Sequence, residues 1–363
     1  MLEIRLRHAF SDFTLDVDFA SGPGVTVLFG RSGSGKTTIA QALAGLLTPD
    51  EGRIAIGGET LLDTAKGIRL APHRRRIGYV FQEARLFPHL TVSQNLRFGA
   101  WFAPKNAPRE EMGRVVEMLG IGHLLTRRPG ALSGGEKSRV SLGRALLSAP
   151  RVILADEPLA ALDDARKAEI LPYFERLRDE ARVPILYVSH SASEVARLAT
   201  TVVALRDGRV IEHGTPGEVL SNPGVLPNGP REVGSIVRAR IVAHHDDGLT
   251  ELDASGIALF LPRVDHPTGT WLRVRIAAHD VILSRHRLSG ISALNVFEGR
   301  VEEIRIGDGP GALVVLVTAA GRILARITQR SVRALDLAPG IVAHAAVKSV
   351  AVASADIGFD GRG

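Results

Sequence analysis

Apolar positions change their period twice along this chain. At the start they fall on alternate residues, Leu2, Ile4 and Leu6, and the same spacing returns at Leu15, Val17 and Phe19 after Phe13. Period two marks strands that turn one face to a core and one to water, the usual state of an antiparallel sheet. Residues 25–29, 77–81, 152–155 and 185–189 are instead near-continuous apolar runs of strand length. Such runs are expected where helices cover both faces of a parallel sheet. Helix-like segments at 36–47, 110–119, 135–147 and 164–180 lie between them, which predicts an α/β layout. The turn formers of residues 221–230, Ser-Asn-Pro-Gly-Val-Leu-Pro-Asn-Gly-Pro, then set a boundary and divide the chain into domains 1–230 and 231–363. Beyond it the helical period is lost. Short apolar runs at 236–243, 256–261, 271–276, 296–306, 313–318, 322–327 and 341–352 predict a small all-β barrel or sandwich. A weak repetition runs through this part, Val237 to Val242 resembling Gly299 to Ile304 in position and character.

Composition narrows the partners. At 363 residues there is room for two cores, and no apolar run approaches the roughly 18 residues that a membrane helix needs. Met1-Leu2-Glu3-Ile4-Arg5-Leu6-Arg7 alternates like a strand and lacks the apolar centre of a secretory signal, so a soluble, cytoplasmic protein is expected. The absence of cysteine excludes disulfides, thiolate metal sites and cysteine nucleophiles. A net charge of +6 and a pI near 10.0 would suit nucleic acid, but the basic residues form no arm or stripe, and no nucleic-acid partner is expected.

Two motifs carry chemistry. Gly30-Arg31-Ser32-Gly33-Ser34-Gly35-Lys36-Thr37, with Thr38 following, joins an apolar strand to a helix. Its glycines let the backbone curl so that N–H groups converge on phosphate, and the helix adds its positive end. Lys36 is placed to reach the β- and γ-phosphates and Thr37 to ligate Mg²⁺. Val152-Ile153-Leu154-Ala155-Asp156-Glu157 is a buried strand delivering two acids at its end. Asp156 suits the metal, and Glu157, one residue on, suits the polarisation of an attacking water. His244-His245-Asp246-Asp247, followed by Gly248, reads as a hairpin turn rather than a metal site, since adjacent histidines in a strand face opposite ways.

Leu132-Ser133-Gly134-Gly135-Glu136 lies too far along the chain to belong to the same site. With it, with Gln82 after Tyr79-Val80-Phe81, with Ala161-Leu162-Asp163 and with Ser189-His190, the first 220 residues resemble the ATP-binding subunits of ABC transporters. The resemblance implies a head-to-tail homodimer in which ATP lies between the phosphate loop of one chain and Ser133 and the Gly135 N–H of the other. It implies that His190 contacts the γ-phosphate, that Gln82 senses Mg²⁺, and that an early aromatic residue, Phe13 or else Phe10, stacks on adenine. It also implies a peripheral place at the cytoplasmic face of the membrane, with Phe87 and Leu90 forming a socket for an integral permease subunit.

Residues 289–353 resemble the molybdate-binding Mop domain, on Ser292-Ala293-Leu294-Asn295, Ala325-Arg326-Ile327-Thr328 and Lys348-Ser349. The whole chain is therefore similar to the ATPase subunits of molybdate importers, which are fed by an extracytoplasmic molybdate-binding protein. The oxyanion candidates are Ser292, the Ala293 N–H, Lys348 and Ser349, small donors and one cation suited to a tetrahedral anion. Many Mop domains have arginine where Leu294 stands, so that side chain is given no role. The same machine importing sulfate, tungstate, iron or another small solute stays open, as does a non-transport ABC ATPase acting on nucleic acid or ribosomes. A β-domain serving only as a dimerisation or regulatory-protein platform stays open as well.

Overall fold

A computed structural model describes every residue except 102–109, 161, 181–182, 228, 230–231, 308 and 361–363. The chain forms two compact units, Met1–Thr215 and Pro216–Gly363. This division falls ahead of the turn cluster at 221–230, because the short helix Pro216–Leu220 packs on the first strand of the second unit.

In the first unit the strands are β1 (Leu2–Ala9), β2 (Thr14–Ser21), β3 (Val25–Phe29), β4 (Glu51–Ile56), β5 (Glu59–Asp63), β6 (Ile68–Arg69), β7 (Ile77–Val80), β8 (Val152–Asp156), β9 (Ile185–Ser189), β10 (Thr201–Arg206) and β11 (Arg209–Gly214). Its helices are α1 (Lys36–Ala44), α2 (Pro72–Arg75), α3 (Val92–Trp101), α4 (Met112–Met118), α5 (Gly134–Leu147), α6 (Asp164–Glu180) and α7 (Ala192–Leu198). The predicted periods have the expected outcome. β1 and β2 pair antiparallel and bury Leu2, Ile4, Leu6, Leu15, Val17 and Phe19, whereas β3 and β9 are buried throughout. The eleven strands form one sheet in the order β6-β5-β4-β1-β2-β11-β10-β3-β9-β8-β7, and β3, β9, β8 and β7 run parallel. Their carboxyl ends therefore share one edge, the place where open α/β sheets bind ligands. Helix α1 stops three residues short of the predicted 47, because Gly45 takes the left-handed conformation (φ 77°) and its N–H closes the last turn.

The second unit begins with α8 (Pro216–Leu220) and continues as β12 (Gly234–His244), β13 (Leu249–Ala254), β14 (Ile257–Pro262), β15 (Trp271–Ala277), β16 (Ile282–Ser284), β17 (Asn295–Ile306), β18 (Gly311–Thr318), β19 (Gly321–Thr328), α9 (Gln329–Ala334), β20 (Val342–Val347) and β21 (Ile357–Phe359). His244 to Gly248 is the expected hairpin connection between β12 and β13. The strands form two antiparallel five-stranded sheets, β14-β13-β12-β15-β21 and β16-β20-β17-β18-β19. Read outward from β12 and β17, the two orders are the same, and both central strands carry a bulge. The repetition near Val237 and Gly299 thus marks two copies of one topology. Their fifth strands are exchanged, since β16 follows the first copy but pairs with β20, and β21 follows the second but pairs with β15. One core serves both sheets, Leu259 and Val274 packing with Phe297, Leu316 and Ala345.

Candidate functional site

The parallel strands of the first unit deliver the motif residues to a cavity of about 540 Å³ lined by Phe10, Phe13, Ser32, Gly33, Gly35, Lys36, Thr37, Thr38, Gln82, Asp156 and Glu157. That volume is within the range of ordinary small-ligand sites. β3 leads into the phosphate loop, β7 ends just before Gln82, β8 ends in Asp156, and β9 ends beside His190. Gly35 adopts φ 100°, and a Cβ there would lie 2.7 Å from the Leu15 side chain and 3.2 Å from the Phe13 ring. Any side chain at 35 would therefore strain the loop and push its wall outward.

Lys36 is 3% exposed, and its ammonium donates to the carbonyls of Gly30 and Arg31, both at 2.8 Å. It lies 3.9 Å from a Glu157 oxygen. Burial pulls its pKa below the ordinary lysine value, while Glu157 and Asp156 oppose that pull. Burial likewise raises the Asp156 carboxyl, and the hydroxyl of Tyr79, donating to it at 2.9 Å, works against the rise. Glu157 sits at φ 45°, a left-handed conformation uncommon outside glycine, and its backbone N–H bonds the carbonyl of Val188. The neighbouring strand thus holds a strained residue in place at the mouth of the site. His190 is outside the cavity lining but places Nδ1 3.6 Å from the other Glu157 oxygen. Thr37, Gln82 and Asp156, all in the cavity lining, offer an all-oxygen donor set, which fits Mg²⁺.

Other expected residues lie apart from this cavity. Ser133 and Gly135 do not line it. Ser133 caps α5 in a capping box with Glu136, the Glu136 N–H donating to Ser133 Oγ at 3.2 Å and the Ser133 N–H to Glu136 Oε2 at 2.7 Å. Ser133 and Gly134 are exposed at the tip of this helix, whereas Gly135 is buried, and a Cβ there would lie 3.2 Å from the Ile170 side chain. Gly30, Arg31 and Ser34 belong to the phosphate loop but do not line the cavity, and the Ser34 hydroxyl is buried without a hydrogen bond. Ala161 lies outside the described residues; Asp163 accepts a hydrogen bond from the Arg166 N–H.

After Gln82 the chain forms a cleft lined by Phe81, Arg85, Phe87, Phe98 and Arg144. Phe87 belongs to it, with its ring 4.3 Å from that of Phe98, but Leu90 does not line it. Sequence reasoning missed Asn95, which is fully buried and holds this turn by accepting from the Phe87 N–H and donating to the carbonyls of Phe87, Leu90 and Thr91.

In the second unit the strand register sets the segments that carry the oxyanion candidates side by side. Asn295 pairs with Val347, so Ser292-Ala293 lead into β17 where Lys348-Ser349 leave β20. Ser292 and Lys348 are exposed, and the Ser349 hydroxyl is buried with no hydrogen-bond partner. Asn295 is spent structurally, bonding the N–H and carbonyl of Phe260.

A phosphate loop opening α1, two acids at the end of β8, a parallel strand separated from β3 by β9, and a capped helix tip outside the cavity define an ABC-type ATPase. The ABC transporter family model matches residues 14–160 and the TOBE domain model residues 291–353. The molybdenum import ATP-binding protein ModC of Rhizobium meliloti is 51% identical over 97% of this chain and 99% of its own length, and ModC 1 of Azotobacter vinelandii is 46% identical over 97% and 98%. The solved structure of cbiO1 from Clostridium perfringens, part of an ABC transporter complex, is 31% identical and aligns with a TM-score of 0.52 over 61% of this chain and 90% of that one. The chain belongs to the molybdenum import ATP-binding proteins of the ABC transporter family.

Proposed function

We propose that this protein is the ATP-hydrolysing subunit of a molybdate importer, working as a head-to-tail homodimer on a membrane permease. The observation that carries the reading is the meeting of Lys36, Thr37, Gln82, Asp156 and Glu157 at one cavity while Ser133 stands elsewhere on the same unit. Such a half-site needs a second chain to offer Ser133, with the backbone N–H groups of Gly134 and Gly135, to the γ-phosphate. ATP binding closes the dimer and hydrolysis releases it, which gives the permease two states to follow.

Within each site Lys36 neutralises the β- and γ-phosphates, and the adenine ring stacks on Phe13 or Phe10, both of which line the cavity. Thr37, Asp156 and Gln82 would hold Mg²⁺, which when bound supplies positive charge to the phosphate oxygens. Glu157 takes the proton of the attacking water, and His190, 3.6 Å from Glu157, orients that water and contacts the γ-phosphate. The cleft around Phe87 and Phe98 receives the permease subunit, which is fed by an extracytoplasmic molybdate-binding protein. No helix among the described residues is long and apolar enough to cross a membrane, and the reading places the protein peripherally at the cytoplasmic face.

Molybdate is also the ligand proposed for the second unit, on Ser292, the Ala293 N–H, Lys348 and Ser349. The orphaned Ser349 hydroxyl beside an exposed lysine supports an anion there. Calorimetric titration of the full chain with molybdate, tungstate and sulfate tests the ligand. Molybdate binding that is lost in Lys348→Ala is expected, and a preference for sulfate would overturn the assignment.

A further inference from the structure

We infer that Tyr79 is a positioning residue for Asp156, fixing the carboxylate for magnesium and tying it to the cleft that follows Gln82. The inference rests on the proposed role of Asp156 in holding the metal.

β7 and β8 run parallel with Tyr79 opposite Leu154. Side chains two apart on a strand share a face, so Tyr79, Leu154 and Asp156 lie on the same side of the sheet. The phenol, longer than its neighbours, passes the end of β8 and donates to Asp156 Oδ2 at 2.9 Å. Among the described residues this is the one side-chain hydrogen bond that the carboxylate receives, and it engages a single oxygen. The terminal torsion of an aspartate is broad and roughly two-fold, so an unsupported carboxylate samples many planes. A donor on one oxygen selects a plane and leaves the second oxygen for the cavity, where Lys36, Thr37 and Gln82 converge. Partners of this kind, behind a metal ligand rather than on the metal, typically govern affinity by one or two orders of magnitude.

The same tyrosine also lines the cleft. Tyr79 stacks on Phe81 at 3.9 Å between centroids and 11° between planes, and the Arg85 guanidinium lies 4.4 Å over Phe81. Arg144 of α5 donates to the carbonyls of Ala84 and Arg85 and lies 5.3 Å over Phe87. A continuous stack therefore runs from the segment held by α5, through Phe81 and Tyr79, to an oxygen of Asp156. Gln82 follows Phe81 directly and lines the cavity, so the stack borders the proposed metal ligands.

Tyr79→Phe removes the hydroxyl and keeps the ring. Binding of a non-hydrolysable ATP analogue to the full chain is measured in EDTA and across a Mg²⁺ titration, beside Asp156→Asn. In Tyr79→Phe the Mg²⁺ midpoint is expected to rise about ten-fold, the size of one hydrogen bond to a charged group, with metal-free binding unchanged. If Asp156→Asn moves the midpoint and Tyr79→Phe does not, the inference about Tyr79 fails while the metal role stands. If Asp156→Asn leaves it unmoved, the metal role fails and takes this inference with it. Equal weakening of metal-free and metal-dependent binding in Tyr79→Phe would reduce the tyrosine to packing and overturn the positioning role.

Discussion

In the proposed mechanism, Glu157 is the residue on which turnover depends most narrowly. Its backbone is held at φ 45° by a hydrogen bond to β9, and its two oxygens look towards Lys36 and His190. Glutamine has nearly the same shape and cannot accept the proton. Glu157→Gln is therefore expected to keep ATP binding and lose about 100-fold or more in steady-state hydrolysis, the usual weight of a general base. Phosphate release and size-exclusion chromatography in ATP check it: a dimer that persists with ATP is the expected outcome, and undiminished hydrolysis would remove Glu157 as the base. Residues such as Glu157, Lys36 and Asp156 were legible in the sequence because their chemistry depends on neighbours in the chain, a loop after a strand or an acid at a strand's end. Tyr79 and Asn95 were not, because each owes its role to a fold contact that the chain's local pattern does not encode. Tyr79 meets Asp156 77 residues away, and Asn95, itself fully buried, does its work with the backbone of the turn before it rather than with any motif residue.

At the scale of elements, length decided what could be read. The five-residue apolar strands β3, β8 and β9 announce themselves, while β16 and β21, three residues each, carry no period at all. β21 is nonetheless held firmly. Asp360, immediately after it, is 2% exposed, bonds Arg238 Nε at 2.5 Å and stands 3.3 Å from Arg273, and its N–H donates to the Trp271 carbonyl. Burial pushes the Asp360 carboxyl up, but Arg273 and Arg238 together outweigh it and leave the pKa below the ordinary 3.8. A pKa depressed by folding contributes stability that is present above the unfolded value and is lost as pH falls through the folded one. Asp360→Asn is thus expected to destabilise the second unit by about 1–3 kcal/mol at neutral pH. In thermal denaturation the gap between wild type and variant should close as the pH drops below about 4, because protonation then removes the same charge from the wild type. A gap that persists in acid would mean that the two arginines do not set the contribution.

At the scale of the whole molecule, the question is whether one chain contains a complete catalytic site. The chain's own geometry separates the capped tip of α5 from the phosphate-loop cavity, and the proposal that they meet only between copies makes a quantitative demand. Lys36→Ala removes the cation proposed to bind phosphate. Ser133→Asp keeps a good helix N-cap, so α5 stays capped, but presents a negative charge to the γ-phosphate. Each variant alone inactivates both sites of its homodimer. Mixed in equal amounts they form heterodimers in which one site has both lesions and the other has neither. With about half of the dimers mixed and one working site in each, ATPase activity should recover to about a quarter of wild type if the sites act independently. The recovery should rise with protein concentration, since the intact site exists only in the dimer. A mixture no more active than its parts would mean that Ser133 serves the cavity of its own chain, and the shared-site mechanism would have to be abandoned.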